Sequence, residues 1–128
     1  MTTRIAGIAL VLISASACGG GGSDQTTGPP AGNTPPPVGG ISVTNNAFTP
    51  SSKTVAPGTT VQWAWNTCSD GGGYGGEICV AHGVNFADGI DSPTQERGTF
   101  SRNFATAGSY PYNCAVHGAA MAGTITVQ

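Results

Sequence analysis

Tyr110-Pro-Tyr-Asn-Cys114-Ala-Val-His117-Gly-Ala-Ala-Met121-Ala-Gly-Thr-Ile-Thr-Val127 is the stretch whose reading decides the fold. Tyr110, Tyr112 and Cys114 alternate onto one face, as do Ile125 and Val127 with Met121 in phase, so two strands flank a short loop. A thiolate, an imidazole and a thioether therefore fall within eight residues at a strand end. Thiolate and thioether sulfur suit copper, imidazole suits it equally, and a thioether is a poor ligand for zinc, calcium or magnesium. Two histidines, a cysteine and a weak axial methionine make the trigonal arrangement that holds copper for electron transfer. The chain has two histidines in all, so the missing imidazole is His82.

The 128 residues allow one domain, and part of the chain falls outside it. Charged residues make up 8% with a net charge of −2 and no basic cluster, which excludes nucleic acid as a partner. The chain holds 21 glycines and 9 prolines and lacks long helical periodicity, a composition that favours an all-β, turn-rich domain.

At the N-terminus, Arg4, the apolar run Ile5 to Ile13 and the small residues Ser14 to Ala17 read as a signal peptide over residues 1–17. The run is far shorter than the ~20 residues that span a bilayer. Ala15-Ser16-Ala17 fits an ordinary export cleavage site. It also resembles a bacterial lipobox ending at Cys18, although Ala15 stands where a larger aliphatic residue is usual. Lipidation of Cys18 is the reading adopted, because that cysteine has no other role and a flexible tether follows it. The protein is then exported, periplasmic or at the cell surface, and meets the membrane only through its lipid. Residues 18–40, with Gly19 to Gly22 and the proline clusters at Pro29 and Pro35, are read as a linker without structure.

The domain is expected over residues 41–128. Ile41-Ser-Val-Thr alternates as a first strand, and Ala56-Pro57-Gly58 signals a type II turn. Val61, Trp63 and Trp65 share one face and call for a covering sheet. His82 is in phase with Val84 and Phe86 and so points inward. Gly98 to Phe104 is a further strand. These short strands predict an antiparallel Greek-key β-sandwich of seven to eight strands.

With Cys18 at the lipid and Cys114 at the metal, Cys68 and Cys79 remain for a disulfide, natural in an oxidising compartment. Closing that glycine-rich loop stabilises the fold by about 3 kcal/mol in the chain-entropy picture. A competing reading pairs Cys79-Val-Ala-His82 with Cys114-Ala-Val-His117 as a Cys₂His₂ zinc site. It leaves Cys68 unpaired and Met121 without a purpose.

Gly98-x-Phe100, Gly108-x-Tyr110-x-Tyr112-x-Cys114-x-x-His117 and Met121-x-Gly123-x-Ile125-x-Val127 resemble the plastocyanin-like branch of the cupredoxins. His82-x-Val84-x-Phe86 and Val55-x-x-Gly58-x-x-Val61-x-Trp63 extend the resemblance over Ile41 to Gln128. It implies an eight-stranded Greek-key sandwich with one type 1 copper. His82, Cys114 and His117 would be the equatorial ligands and Met121 the axial one. Three features depart from the pattern. His117 and Met121 are separated by one residue fewer than is common in plastocyanins, Gly83 stands where an asparagine often buttresses the cysteine sulfur, and the His82–Cys114 segment is short.

The expected function is one-electron transfer by a monomer that docks redox partners transiently near His117. Copper storage or delivery is the alternative. No second metal site, acid–base pair or triad is visible, so the chain does not read as an enzyme.

Overall fold

A computed structural model describes residues 32–128. The expected signal peptide, Cys18 and the linker up to residue 31 lie outside the described residues. Ten strands occur among those described: β1 (Ile41–Val43), β2 (Phe48–Thr49), β3 (Ser52–Val55), β4 (Thr59–Trp65), β5 (Cys68–Asp70), β6 (Glu77–Cys79), β7 (Val84–Phe86), β8 (Thr99–Phe104), β9 (Gly108–Cys114) and β10 (Gly118–Val127). Eight of them form the sandwich, in two four-stranded sheets ordered β2-β1-β4-β8 and β3-β10-β9-β7. The other two, β5 and β6, pair only with each other and make a separate ribbon.

The alternation read from the sequence places the core. Val61, Trp63 and Trp65 of β4 face Phe86, Tyr112, Ile125 and Val127 of the opposite sheet, all buried. The Trp63 indole meets Tyr112 edge-on at 5.5 Å and Phe86 at 5.8 Å. Burying one such ring contributes on the order of 2–3 kcal/mol. The Tyr112 phenol, desolvated there, is pushed up to about 12 and stays neutral. At the turn before β4, Thr59 N–H donates to the Ala56 oxygen and Gly58 takes φ +84°, the left-handed position that a type II turn demands.

The sandwich is not wholly antiparallel, as the sequence had suggested. β1 runs parallel to β4, and β3 runs parallel to β10. After the β1–β2 hairpin the chain crosses to the other sheet, where β3 lies beside the C-terminal strand. Pairing direction between distant strands leaves no trace in a local two-residue period.

Three further features lie outside the apolar pattern. Arg102 points inward from β8, in phase with Phe100 and Phe104. Its guanidinium stacks 4.2 Å from the Phe86 ring centre and 4.9 Å from that of Phe104, and pairs with both oxygens of Asp88. The pairing holds the Asp88 carboxyl below the usual carboxylate range. The free side of edge strand β7 is closed by its own following loop: Val84 N–H donates to Ser92 Oγ and Phe86 N–H to Asp91 Oδ1. The described end of the linker is bound rather than free. The Asn33 side chain donates to the Cys68 oxygen at 3.0 Å and accepts from its N–H at 2.9 Å, and Thr34 N–H donates to the Trp65 oxygen at 2.8 Å. An asparagine amide carries a donor and an acceptor and so mimics a peptide group, which an apolar pattern does not reveal.

Gly123 has no room for a side chain. A Cβ there would lie 2.4 Å from the Tyr112 ring and 2.7 Å from the Ser51 oxygen. Gly123→Ala should therefore lower stability by about 1–3 kcal/mol, read as a fall in the urea midpoint with an unchanged slope.

Candidate metal centre

Two pairings bring the site together. β7 and β9 align Val84 with Cys114, so the segment just before β7 lies beside the end of β9. His82 stands two residues before Val84 and bridges to Gln95, while Ala115 N–H donates to the Gly83 oxygen at 3.1 Å. β9 and β10 supply the rest. Gly118 at φ +55° turns the chain back after His117. The ladder then loses register: Gly118 lies opposite Cys114 and Ala122 opposite Asn113, leaving Ala119, Ala120 and Met121 as a bulge.

The result is one cluster. Cys114 Sγ lies 3.5 Å from His82 Nδ1 and 3.6 Å from His117 Nδ1. All three candidate ligand atoms lie within 4.8 Å of one another. Met121 is buried in the same core cluster as Cys114. A first-row ion bonded about 2.0–2.1 Å from nitrogen and about 2.3 Å from sulfur, with its ligands spread trigonally, holds those donors roughly 3.5–4 Å apart. The spacing in this chain fits such an ion, and a thiolate beside two imidazoles suits copper or zinc.

Burial divides the cluster. His82 and Cys114 are buried, whereas His117 is exposed beside Val116, which is 54% exposed. Burial first, and then the neighbouring His117, lowers the His82 pKa from its ordinary value and favours the neutral ring that a metal needs. The other His82 nitrogen, Nε2, is buried with no hydrogen-bond partner among the described residues.

The sulfur accepts one backbone bond, from Val116 N–H at 3.4 Å. A side chain at position 83 would crowd its neighbours: a Cβ on Gly83 would lie 2.9 Å from Ala115 Cβ and 3.2 Å from Thr94 Oγ1, so one of them would have to shift. The main chain of His82 is held firmly: its N–H donates to the Gln95 oxygen, and its oxygen accepts from Gln95 N–H and from Trp65 Nε1. Sequence reasoning missed Gln95, which carries no signal, and read Trp65 as core alone. An indole N–H in an apolar stretch was the available hint, since a buried one usually finds an acceptor.

Cys68 and Cys79 are disulfide-bonded and lie directly opposite each other across the β5–β6 ribbon. The competing Cys₂His₂ set is therefore not assembled, because the Cys79 sulfur is bonded to Cys68. Glu77 stands near this pair but is engaged by Arg97.

Among the described residues, two imidazoles and a free thiol converge beside an eight-stranded sandwich, and comparison with known proteins gives the class. Residues 39–128 match the profile of the copper binding proteins of the plastocyanin/azurin family. A plastocyanin of Scenedesmus fuscus is 39% identical over 87 residues, covering 63% of this chain and 86% of that protein. The chain belongs to this family. An oxidised mutant of amicyanin shares the fold with a TM-score of 0.56, 22% identity and coverage of 69% of this chain and 79% of that one. The copper-containing nitrite reductase of Thermus scotoductus SA-01 shares it over 70% of this chain but 22% of that one, at TM-score 0.54 and 22% identity.

Replacing both Cys68 and Cys79 by serine should leave copper uptake intact. It should lower stability by about 3 kcal/mol, as read from metal titration and urea unfolding of the same sample.

Proposed function

We propose that this chain carries single electrons, with one copper ion that would be held by His82 Nδ1, Cys114 Sγ and His117 Nδ1 and with Met121 as the further donor. The observation that carries this reading is the approach of two imidazole nitrogens to one buried thiol, at 3.5 and 3.6 Å. Bound copper supplies a one-electron couple, Cu(II)/Cu(I), whose potential depends on the axial ligand and on hydrogen bonding at the sulfur.

The residues divide the remaining work. Cys114 would hold the ion through a thiolate sulfur shielded from water. His82 is fixed by its main-chain bonds and sealed from solvent. His117 reaches the surface within a rim of small side chains, Ala115, Val116, Gly118, Ala119 and Ala120. That rim has no charged side chain, so a redox partner docks there briefly and receives the electron through the exposed imidazole. Strand ends and one short loop would hold these donors in place. With Met121 as a further donor beside the three clustered residues, four protein ligands would leave a bound ion no open position for a substrate, which supports a carrier rather than an enzyme. Export through residues 1–17 and anchoring at Cys18 complete the reading.

The purified chain loaded with Cu(II) should show an intense visible band from the Cys114 thiolate, and Cys114→Ser should be colourless. A colourless wild-type protein, or a coloured serine variant, overturns the assignment. Ala119→Glu should slow electron exchange with a partner protein about tenfold while leaving the visible band unchanged; an unaltered rate removes the docking rim.

A further inference from the structure

Trp65 ends β4, in the sheet opposite β7, and its side chain is fully buried. Its indole N–H donates to the His82 oxygen at 2.9 Å. Gln95 N–H donates to the same oxygen at 3.0 Å, and His82 N–H returns a bond to the Gln95 oxygen at 3.0 Å. We infer that Trp65 is a positioning residue for the metal centre, its indole N–H fixing the His82 peptide and thereby the Nδ1 that faces Cys114. The inference rests on the copper reading above and deepens it.

The geometry makes the connection short. Nδ1 is bonded to Cγ, so only χ1 and χ2 separate it from the main chain, and a displaced peptide carries the nitrogen with it. His82 precedes β7 and, among the described residues, is tied along the backbone by the isolated bridge to Gln95. The Trp65 bond adds an anchor from the other sheet. That anchor is itself clamped, because Trp65 N–H donates to the Gly98 oxygen at 3.0 Å and the Trp65 oxygen accepts from Thr34 N–H at 2.8 Å. Three residues further on, Cys68 is gripped by the Asn33 side chain and joined to Cys79, which lies three residues before His82. The two segments joined by the indole bond are thus also joined by the disulfide. Trp63, equally buried, makes no hydrogen bond to His82 and provides the control.

The test compares Trp65→Phe, which keeps an aromatic ring and removes the N–H, with Trp63→Phe. Trp65→Phe should bind copper about 10–100-fold more weakly and shift both the visible band and the reduction potential. Trp63→Phe should lose stability while keeping all three. In the metal-free proteins, hydrogen exchange at the Gln95 amide should accelerate about tenfold in Trp65→Phe alone. A Trp65→Phe protein with wild-type affinity, band, potential and Gln95 exchange overturns the inference and reduces Trp65 to core filling. If the wild-type chain takes up no copper, the electron-transfer reading fails, and Gln95 exchange decides the role of Trp65 by itself. A measurement on the unaltered chain covers the case of a variant that does not fold. Exchange of the Trp65 indole proton should slow when Cu(I) is loaded, because occupancy and the indole bond favour one His82 position. An unchanged rate in a loaded protein contradicts the proposal.

Discussion

The ladder between β9 and β10 admits three extra residues on one side only, at Ala119, Ala120 and Met121. Much of what distinguishes this sandwich from a plain scaffold follows from that interruption. Below it the pairing is regular from Asn113 with Ala122 to Gly108 with Val127, which fixes where the loop begins and ends. Above it, the added length lets His117 turn outward while Met121 returns to the core at 2% exposure. Had the regular pairing continued one step further, Met121 would lie directly opposite Cys114. The bulge is also what makes a one-residue difference in loop length tolerable, since it alters an irregular segment and leaves the register beneath it intact.

The two imidazoles occupy opposite circumstances, and the fold assigns them by different means. His82 is reached by strand pairing, through β7 on β9, and is immobilised by bonds from Gln95 and from the facing sheet. His117 belongs to the tight return at Gly118 and is held mainly by the brevity of that turn, with Ala120 N–H donating to its carbonyl oxygen. Rigidity is thus concentrated on the sealed side and access on the open one. Among the described residues the ion pairs involve other parts of the molecule, Glu77 with Arg97 at the ribbon and Asp88 with Arg102 beside the aromatic core.

Much of this was legible in the residues. Alternation placed Tyr112, Cys114, Val84, Phe86 and the β4 tryptophans on the correct faces, because a half-buried strand writes its orientation into every second side chain. The count of cysteines and histidines led to the cluster and to the Cys68–Cys79 bond without any geometry. Other features stayed hidden for a common reason, namely that they are agreements between distant parts of the chain. The parallel pairing of β1 with β4 and of β3 with β10 is such a case. So is the grip of Asn33 on Cys68, where a polar residue in a stretch with no apolar pattern replaces a strand partner. Arg102 could have been noticed, since it falls in phase with Phe100 and Phe104. What no period could show was that Phe86, Phe104 and Asp88 would converge to receive its charge.

Among the described residues Cys114 is the cysteine that stands outside a disulfide, and it is 1% exposed. A lone thiol on a surface would cross-link copies of the chain in air or be oxidised further before any ion arrived. Packed beneath the rim, with the Val116 amide directed at it, this sulfur is out of reach of a second protein molecule. Burial of this kind favours a small ion over any bulkier reagent in reaching the sulfur.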